Sequence, residues 1–485
     1  MSNINKLFIF ILFLAFITGC KKSFLELETL DRASVNNSFK TPDDANRAVI
    51  GIYDITQQNL SDFAILTERT TDDAVSQAAI GMASAQGDIR EIIQYKYTGE
   101  NGYMRNMWNT YYKGIAASNQ LIERIESITF SNPAIKAQYV GEVKFLRAYF
   151  YFNLVRFFGG VPISLTEIKD PTAAFDLKRS SEAEVYEVIS QDLIDAAAVL
   201  PIAQTGNNLG RITQGAAKAL LAKAYLTNKK PELALPLLRQ LTAAPYTYKL
   251  MPSYPEVFST ENNAESIFEI QYLSGLTTNE GNNLVTFFFT NDATVGKDYY
   301  GAAYVGTTGG GILLATNDLY NSYLPVDARQ KFTLADYFSK AENATVRIVR
   351  KYYKLPATGL GGADDNVIVL RYADVLLMLA EAINETNGSP TTEAYDAVDK
   401  VRVRAKVPVL SRTMEYNSFK ASLLDERRWE FAFEFHRWFD LKRFGKLVEV
   451  LKAKGYPIQP FNVLFPIPKG QVDINPVNIP QNPGY

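Results

Sequence analysis

The chain has 485 residues, of which 47% are hydrophobic and 21% are charged, and its formal net charge is −2. This ordinary globular composition suits two or three average domains or one extended helical array. The near-neutral charge argues against nucleic acid as a main partner, because no basic excess is available to neutralise phosphates.

The first forty residues predict export and anchoring. Residues 7–17 are an unbroken apolar run of eleven, which suits the hydrophobic region of a signal peptide and is too short for a membrane span of about 20 residues. The run leads through Thr18 and Gly19 to Cys20, a pattern that resembles a bacterial lipobox and implies cleavage before Cys20 and diacylglycerol attachment to it. Cys20 is the only cysteine and has no intramolecular disulfide partner; the alternative is an ordinary signal peptide with an incidental cysteine. The predicted organisation is a signal peptide at 1–19, a lipid-anchored leader at 20–40 and a single domain at 41–485.

Helical periodicity dominates the remainder. Thr41 and Pro42 predict a helix start, with an N-cap followed by proline at the first helical position. Ser180 or Ser181 is predicted to cap a later helix, since Glu182 and Glu184 suit its first turn. The predicted helices are 45–60, 104–128, 134–158, 182–200, 216–226, 232–241, 367–385 and 393–404.

Three pairs of these helices favour a repeat-like array. In the pair 216–226 and 232–241, the spacing of Leu221, Ala222 and Tyr225 with Ala234 and Leu238 fits a tetratricopeptide repeat. Small residues in such repeats lie where two helices approach. The predicted fold class is mainly α, a tetratricopeptide-like helix-pair scaffold with a long loop-rich insertion that contains short strands.

The insertion is predicted at about 246–366. It is rich in Gly, Thr, Asn, Tyr and Phe, and 266–272 and 346–352 resemble strands. Long loops on a rigid scaffold are where binding usually lies, so ligand contacts are expected here. The Pro-rich end of the chain is expected to be an extended strap.

Residues 423–445 are the most aromatic and charged stretch. They contain no proline and no internal glycine, so one unbroken helix is predicted. The aromatic residues expected to fill the core are Trp429, Phe431, Phe435 and Trp438. On a neighbouring face Arg427, Glu430, Glu434 and Arg437 are one turn apart, and they are expected to pair along the helix.

The sequence offers little for catalysis. One His and one Cys exclude a multi-His zinc site, and no nucleophile elbow, Walker loop or dinucleotide-binding fingerprint is present. His436 is interpreted as a packed or partner-bonded imidazole. Glu430 and Glu434 are a conspicuous carboxylate pair, but neighbouring Arg427 and Arg437 are expected to hold them ionised, whereas a general acid needs a raised pKa. No metal and no cofactor are predicted.

Several segments together resemble the SusD/RagB family of Bacteroidetes outer-membrane nutrient-binding lipoproteins. Besides the lipobox, they are FLRAYFYFNLVRFFGGVP at 145–162, LRYADVLLMLAEA at 370–382, ERRWEFAFEFHRWFDLKR at 426–443, LFPIP at 464–468 and NPGY at 482–485. The match covers nearly the whole chain. One departure is Phe435, where glycine is more usual in the family before the histidine.

This resemblance implies a function without catalysis. Members have an α-helical body with tetratricopeptide-like pairs, are lipid-anchored at the outer membrane facing outward, and sit as a lid over a SusC-type TonB-dependent transporter barrel to which they deliver ligand. In most studied systems the ligand is a glycan and in some a peptide. A lipid-anchored glycosidase and a helical adaptor that binds only protein remain as alternatives.

Loop-borne side chains are the candidates for ligand contact, because sugar rings stack on aromatic faces and sugar hydroxyls need polar partners. In the region before the first helix pair, the aromatic candidates are Tyr95, Tyr97 and Tyr103 and the polar ones are Asp72, Asp73, Arg90 and Asn101. In the insertion they are Tyr272, Tyr299, Tyr300 and Tyr304. Neither composition nor charge identifies the glycan.

Overall fold

The structure is a computed structural model that describes residues 39–76, 87–274, 279–289, 311–339, 343–352 and 362–485. The described residues form eighteen α-helices: α1 Pro42–Gln57, α2 Leu60–Ala64, α3 Gly87–Ile93, α4 Gly102–Arg124, α5 Pro133–Phe158, α6 Glu182–Val199, α7 Gln214–Thr227, α8 Pro231–Leu241, α9 Glu256–Ser259, α10 Leu284–Phe288, α11 Asn317–Ser322, α12 Ala328–Thr333, α13 Tyr372–Asn387, α14 Thr392–Arg404, α15 Tyr416–Glu430, α16 Arg437–Arg443, α17 Leu447–Ala453 and α18 Lys469–Ile474. They also form eight short strands: β1 Ala74–Val75, β2 Ser266–Ile270, β3 Leu273–Ser274, β4 Asn279–Glu280, β5 Leu314–Ala315, β6 Leu334–Ser339, β7 Ala344–Val349 and β8 Val367–Arg371. Within these ranges no helix combines the length and the apolar character needed to cross a membrane.

The helix starts follow local capping chemistry. Thr41 accepts a hydrogen bond from the backbone of Asp44, whose side chain accepts one from the Thr41 backbone at 2.9 Å. Ser181 and Glu184 form the same reciprocal pair at the start of α6. Each pair satisfies two backbone donors that the first helical turn leaves unpaired, which explains why both starts are readable from the sequence.

The long helices pack in succession and form the predicted scaffold. α4 packs on α5, α5 on α6, α6 on α7, α7 on α8, α8 on α13 and α13 on α14. At Gly114 of α4, an added Cβ would lie 2.3 Å from the Phe150 ring of α5, so only glycine allows this approach. The mainly α, tetratricopeptide-like fold class is confirmed.

The strands form four antiparallel pairs, β1 with β5, β2 with β8, β3 with β4, and β6 with β7. The strand predictions at 266–272 and 346–352 are confirmed in position. The helix predicted at 367–385 is wrong at its start: Val367–Arg371 is strand β8, and α13 begins only at Tyr372. β8 extends because it pairs with β2, about a hundred residues earlier in the chain, and no local pattern reports such a partner.

The prediction of one helix over 423–445 is also wrong. α15 ends at Glu430, and α16 starts at Arg437. Between them Phe433 and Phe435 take left-handed backbone conformations, with φ of 62° and 66°. Long-range contacts override the helical periodicity, because Glu430, Glu434 and Arg437 bind partners on other elements rather than each other.

Arg371 shows where these charges go. Its guanidinium donates to Glu265 at 2.8 Å, to Glu430 at 2.6 Å and to Glu434 at 2.8 Å. Arg404 donates to the other oxygen of the Glu265 carboxylate at 2.9 Å. All these groups are buried. A buried charge is tolerated only when it is paired and hydrogen-bonded, so this cluster holds the turn after α15 against β8 and α14 in one geometry.

The Pro-rich end of the chain lies along the helices, partly as an extended strap and partly as the short helix α18. The Phe465 backbone N–H donates to the Phe157 carbonyl at 2.8 Å, and the Lys469 backbone N–H donates to the Gly99 carbonyl at 2.8 Å. The Phe465 ring stacks on Trp438 with centroids 5.2 Å apart. The strap therefore closes the core around α16.

Candidate ligand-binding site

The pairing of β1 with β5 brings together two distant parts of the chain. Ala74 pairs with Ala315, and Val75 with Leu314. The side-chain hydroxyl of Thr316 adds a bond to the Asp72 carbonyl at 2.9 Å. Residues 69–76 and 312–320, here named the loop junction, thus connect the region before the first helix pair with the insertion. These are the two regions from which ligand contacts were predicted.

Asp72 and Asp73 lie at this junction, but they point inward. Their exposed fractions are 2% and 0%. Arg437 donates to both carboxylate oxygens of Asp72 at 2.9 Å, and Arg428 donates to Asp73 at 2.7 Å. Burial alone would raise the pKa of Asp72, yet Arg437 and Arg428 hold it below its usual value. Through these bonds both aspartates anchor the junction on α15 and α16, which corrects their prediction as ligand contacts.

Three further candidates are buried. Tyr95 and Tyr97 are buried, and the Tyr97 ring packs on Phe465 of the strap at 5.4 Å. Asn101 is fully buried and caps α4, where its side chain accepts from the Tyr103 backbone at 3.2 Å. Aromatic and amide side chains of this kind satisfied the sequence criteria for a loop site. The Tyr97 ring and the Asn101 amide instead stabilise the strap and the start of α4.

In the insertion, Tyr272 is also buried, and its hydroxyl donates to the Gln57 carbonyl at 3.2 Å. Tyr299, Tyr300 and Tyr304 lie outside the described residues, as does Cys20.

Two of the described candidates reach the surface. Arg90 is exposed on α3, and Tyr103 is half-buried at the start of α4. Burial raises the pKa of Tyr103 to about 12, so its hydroxyl is protonated and able to donate a hydrogen bond at neutral pH. The Asn101 side chain donates to the Asp88 carbonyl at 3.0 Å and thereby holds α3 against the start of α4.

Sequence reasoning missed other groups at the junction. Tyr320 is half-buried on α11, and the Arg347 guanidinium lies 4.2 Å from its ring centroid. Asp318 accepts a hydrogen bond from Arg428 at 2.8 Å and also binds Lys454. Because Lys454 is two residues before the half-buried Tyr456, Tyr456 also lies nearby. No local signal separates these two tyrosines from the other 26 in the chain, since their proximity depends on pairing between distant segments.

The conspicuous carboxylates do not form an acid–base pair. Glu430 is fully buried; burial alone would raise its pKa, but Arg404, Arg371 and Arg329 hold it well below its usual range. It therefore stays ionised and cannot serve as a general acid at neutral pH.

The single histidine is enclosed. Burial, followed by the neighbouring Lys223, lowers the pKa of His436 well below its usual value. Its ring stacks on Phe431 with centroids 4.6 Å apart. Within the described ranges, acidic and imidazole side chains form no group of three or more able to hold a metal ion.

Fold and site together define a helical-repeat scaffold that presents a surface built from two loops. Two family models match the chain: one described as "Starch-binding associating with outer membrane" matches residues 23–226, and one described as "SusD family" matches residues 331–485. SusD-like protein P2 of Formosa agariphila is 28% identical, over 98% of this chain and 99% of its own length.

Solved structures agree with these matches. A laminarin-binding SusD-like protein has a TM-score of 0.78 and 26% identity, covering 92% of this chain and 100% of its own. A SusD homologue from Bacteroides thetaiotaomicron has a TM-score of 0.81 and 23% identity, covering 94% of this chain and 100% of its own, and supports the fold. The chain belongs to the SusD/RagB family.

Proposed function

We propose that this protein is a cell-surface nutrient-binding lipoprotein. It captures an oligosaccharide at the loop junction and passes it to a SusC-type TonB-dependent transporter barrel in the outer membrane. Cys20 carries the lipid anchor, and the protein binds its ligand without chemical change.

The observation that carries the proposal is the β1–β5 pairing, which sets two loop regions side by side on a rigid helical scaffold. Ligand contacts are disproportionately carried by loops positioned in this way. The similarity to a laminarin-binding protein over 92% of the chain favours a glycan over a peptide.

The surface chemistry at and beside the junction suits sugars. Tyr320, Tyr456 and Tyr103 offer partly exposed aromatic rings, on which sugar rings stack, and Arg90 adds a guanidinium donor. Among the described residues, we propose that these four side chains contact the ligand.

Ligand capture is tested with the soluble chain that begins at Lys21. Affinity electrophoresis against a glycan panel, followed by calorimetry, is expected to identify an oligosaccharide that is recovered intact. Tyr456→Ala is expected to weaken binding about two- to tenfold, as for loss of one aromatic contact. Tyr139→Ala is the matched control. Tyr139 is also half-buried, but it lies on α5 beside Phe130 and outside the loop junction.

The alternatives give different results in the same assay. Released sugar in the recovered material would contradict the proposal and favour a glycosidase. Binding only to peptides would move the protein to the peptide-binding members of the family. A lack of binding to both ligand classes, with retained barrel binding, would favour a protein-only adaptor.

Anchoring and partnership need the full chain in its native host. Mass spectrometry is expected to find a diacylglycerol-modified Cys20 at the mature N-terminus, and Cys20→Ser is expected to release the protein from membranes. A transporter barrel is expected to co-purify with the wild-type protein. Recovery of the unmodified protein in the soluble fraction would contradict the anchor.

A further inference from the structure

A buried arginine at the loop junction has no carboxylate partner. Arg69 is 5% exposed, and its Nε donates to the Ser76 hydroxyl at 2.9 Å, which in turn donates to the Ile312 carbonyl at 3.1 Å. The Nη1 atom of Arg69 is buried and makes no hydrogen bond, and the described residues form no ion pair with this guanidinium. Burial lowers the pKa of Arg69, but an arginine remains charged in a protein.

The acids nearby are bound to other bases. Asp72 is held by Arg437 and Asp73 by Arg428, and Asp318 binds Arg428 and Lys454. Glu68, the residue before Arg69 in the chain, accepts instead from the Phe435 backbone N–H at 2.7 Å. Arg69 is therefore a buried cation that the surrounding carboxylates do not neutralise.

Two phenols lie close enough to this cation to interact with it electrostatically. They belong to Tyr456 and Tyr95, whose ring centroids lie 6.0 Å apart. The Tyr95 hydroxyl is buried and has no hydrogen-bond partner. The Tyr456 side chain is half-buried and forms the edge of this group toward solvent. Two buried polar groups without partners, one of them charged, thus lie together at the junction where the ligand is proposed to bind.

Such an arrangement is unfavourable for folding alone. An unsatisfied buried donor destabilises the folded state, and more so when it is charged. Unpaired polar groups persist where a bound ligand supplies the missing partner. The unmet requirement here is for an acceptor that carries negative charge, since guanidinium and phenol both donate to one.

We propose that Arg69, with the hydroxyls of Tyr95 and Tyr456, binds an oxyanion that is the carboxylate or sulfate group of an acidic sugar. The inference rests on the proposed function and narrows it, because it assigns the captured glycan to the acidic class. The guanidinium donates through Nη1, and the phenols donate to the remaining oxygens.

The test uses matched glycan pairs with the soluble wild-type chain. Oligogalacturonate is compared with its methyl ester, and a carrageenan oligosaccharide with its desulfated form, by calorimetry at low salt. An acidic member is expected to bind at least about tenfold more tightly than its neutral partner, as for a buried charge-assisted hydrogen bond. Arg69→Met is expected to remove this preference.

Arg239→Met is the matched control. It removes the same charge from a surface arginine on α8 that is paired with Glu393, so the preference is expected to persist. The ligand-free Arg69→Met variant is expected to melt above the wild type, because an unpaired buried charge is lost. A lower melting temperature would give Arg69 a structural role and overturn the inference.

The outcomes separate this inference from the proposed function. Equal binding of acidic and neutral members, or an acidic preference that Arg69→Met retains, overturns the inference and leaves glycan capture standing. If inorganic sulfate alone raises the melting temperature and no glycan pair shows a preference, the site binds free anions and the assignment to a sugar is wrong. If no glycan of either class binds, the proposed function fails as well.

Discussion

The backbone N–H of Phe435 donates a hydrogen bond to the side chain of Glu68 at 2.7 Å. This bond ties the left-handed turn between α15 and α16 to the π-helical turn Ile65–Arg69, which follows α2 and leads into the loop junction. Phe435 has φ of 66°, a conformation that favours glycine, and glycine is the residue that the family resemblance led us to expect there. The phenylalanine is kept in this backbone by packing against Phe63, Tyr352 and Phe288.

Two substitutions at Phe435 separate backbone strain from packing. Phe435→Ala loses a buried ring, which costs about 3–5 kcal/mol of the free energy of unfolding. Phe435→Gly loses the same ring but relieves a left-handed conformation that costs an L-residue roughly 1–2 kcal/mol. The glycine variant is therefore expected to be less stable than wild type but more stable than the alanine variant in urea denaturation. The reverse order would show that this turn is not strained.

The ionisation of Glu68 predicts an unusual pH dependence. Burial, followed by Asp73, raises the pKa of Glu68 well above its usual value, so the folded protein binds a proton that the unfolded chain releases. Stability contributed by this group is present at low pH and falls as pH rises above the unfolded value of about 4.3. Glu68→Gln keeps an oxygen for the Phe435 bond and is expected to be more stable than wild type at pH 7.

Urea denaturation of Glu68→Gln and wild type across a pH series checks the sign of this pH dependence. Its advantage over wild type is expected to shrink as pH is lowered, because wild-type Glu68 then becomes neutral in both states. A constant difference at all pH values would mean that the carboxyl group does not titrate on unfolding. Glu184→Gln at the exposed cap of α6 is a control with the opposite sign, since the Ser181 bonds lower the pKa of Glu184.

Local chemistry explains what the sequence predicted correctly. Thr41, Ser181 and Gly159 act within one helical turn, and the α-helices that they start or end were predicted to within a few residues. The strand Val367–Arg371 and the break at 431–436 were missed, because their causes are a partner strand and buried guanidinium groups from distant segments.

The candidate site shows the same division. The tyrosines and acids in loops pointed to two regions of the chain, and β1–β5 pairing joins these regions. Individual residues were predicted less well, since Asp72 and Asp73 are bound by arginines more than 350 positions later. A carboxylate that contacts a ligand and one that anchors a loop have the same sequence pattern.

Trp438 tests the assignment of the 426–443 stretch to the core. It is fully buried, stacked on Phe465 and in contact with Phe157 at a centroid distance of 5.9 Å. Trp438→Ala is expected to lower the free energy of unfolding by about 3–5 kcal/mol. Protein that still folds is expected to keep its glycan affinity in calorimetry. A stable variant that has lost binding would place α16 in the ligand site.

Glu430 predicts acid sensitivity. Its carboxylate binds Arg371 at 2.6 Å and Arg329 at 3.1 Å, and it also contacts Arg404. Although burial acts to raise the pKa of Glu430, the three arginines hold it well below its usual range. Its contribution to stability is therefore present above the unfolded value of about 4.3 and is lost as pH falls further.

Replacing the Glu430 carboxylate removes its contribution to the pH dependence of stability. Glu430→Gln leaves three buried guanidinium groups short of negative charge and is expected to cost about 3–5 kcal/mol at pH 7, the range measured for breaking a buried ion pair. Because the variant has no carboxylate to protonate at this position, its stability is expected to fall less steeply than that of wild type below pH 4. Urea denaturation at pH 7 and in acid measures both effects, with Glu68→Gln as the variant of opposite sign at neutral pH. Equal stability of Glu430→Gln and wild type at pH 7 would mean that the cluster does not depend on an ionised Glu430, and the turn at 431–436 would then be held by packing of its aromatic residues.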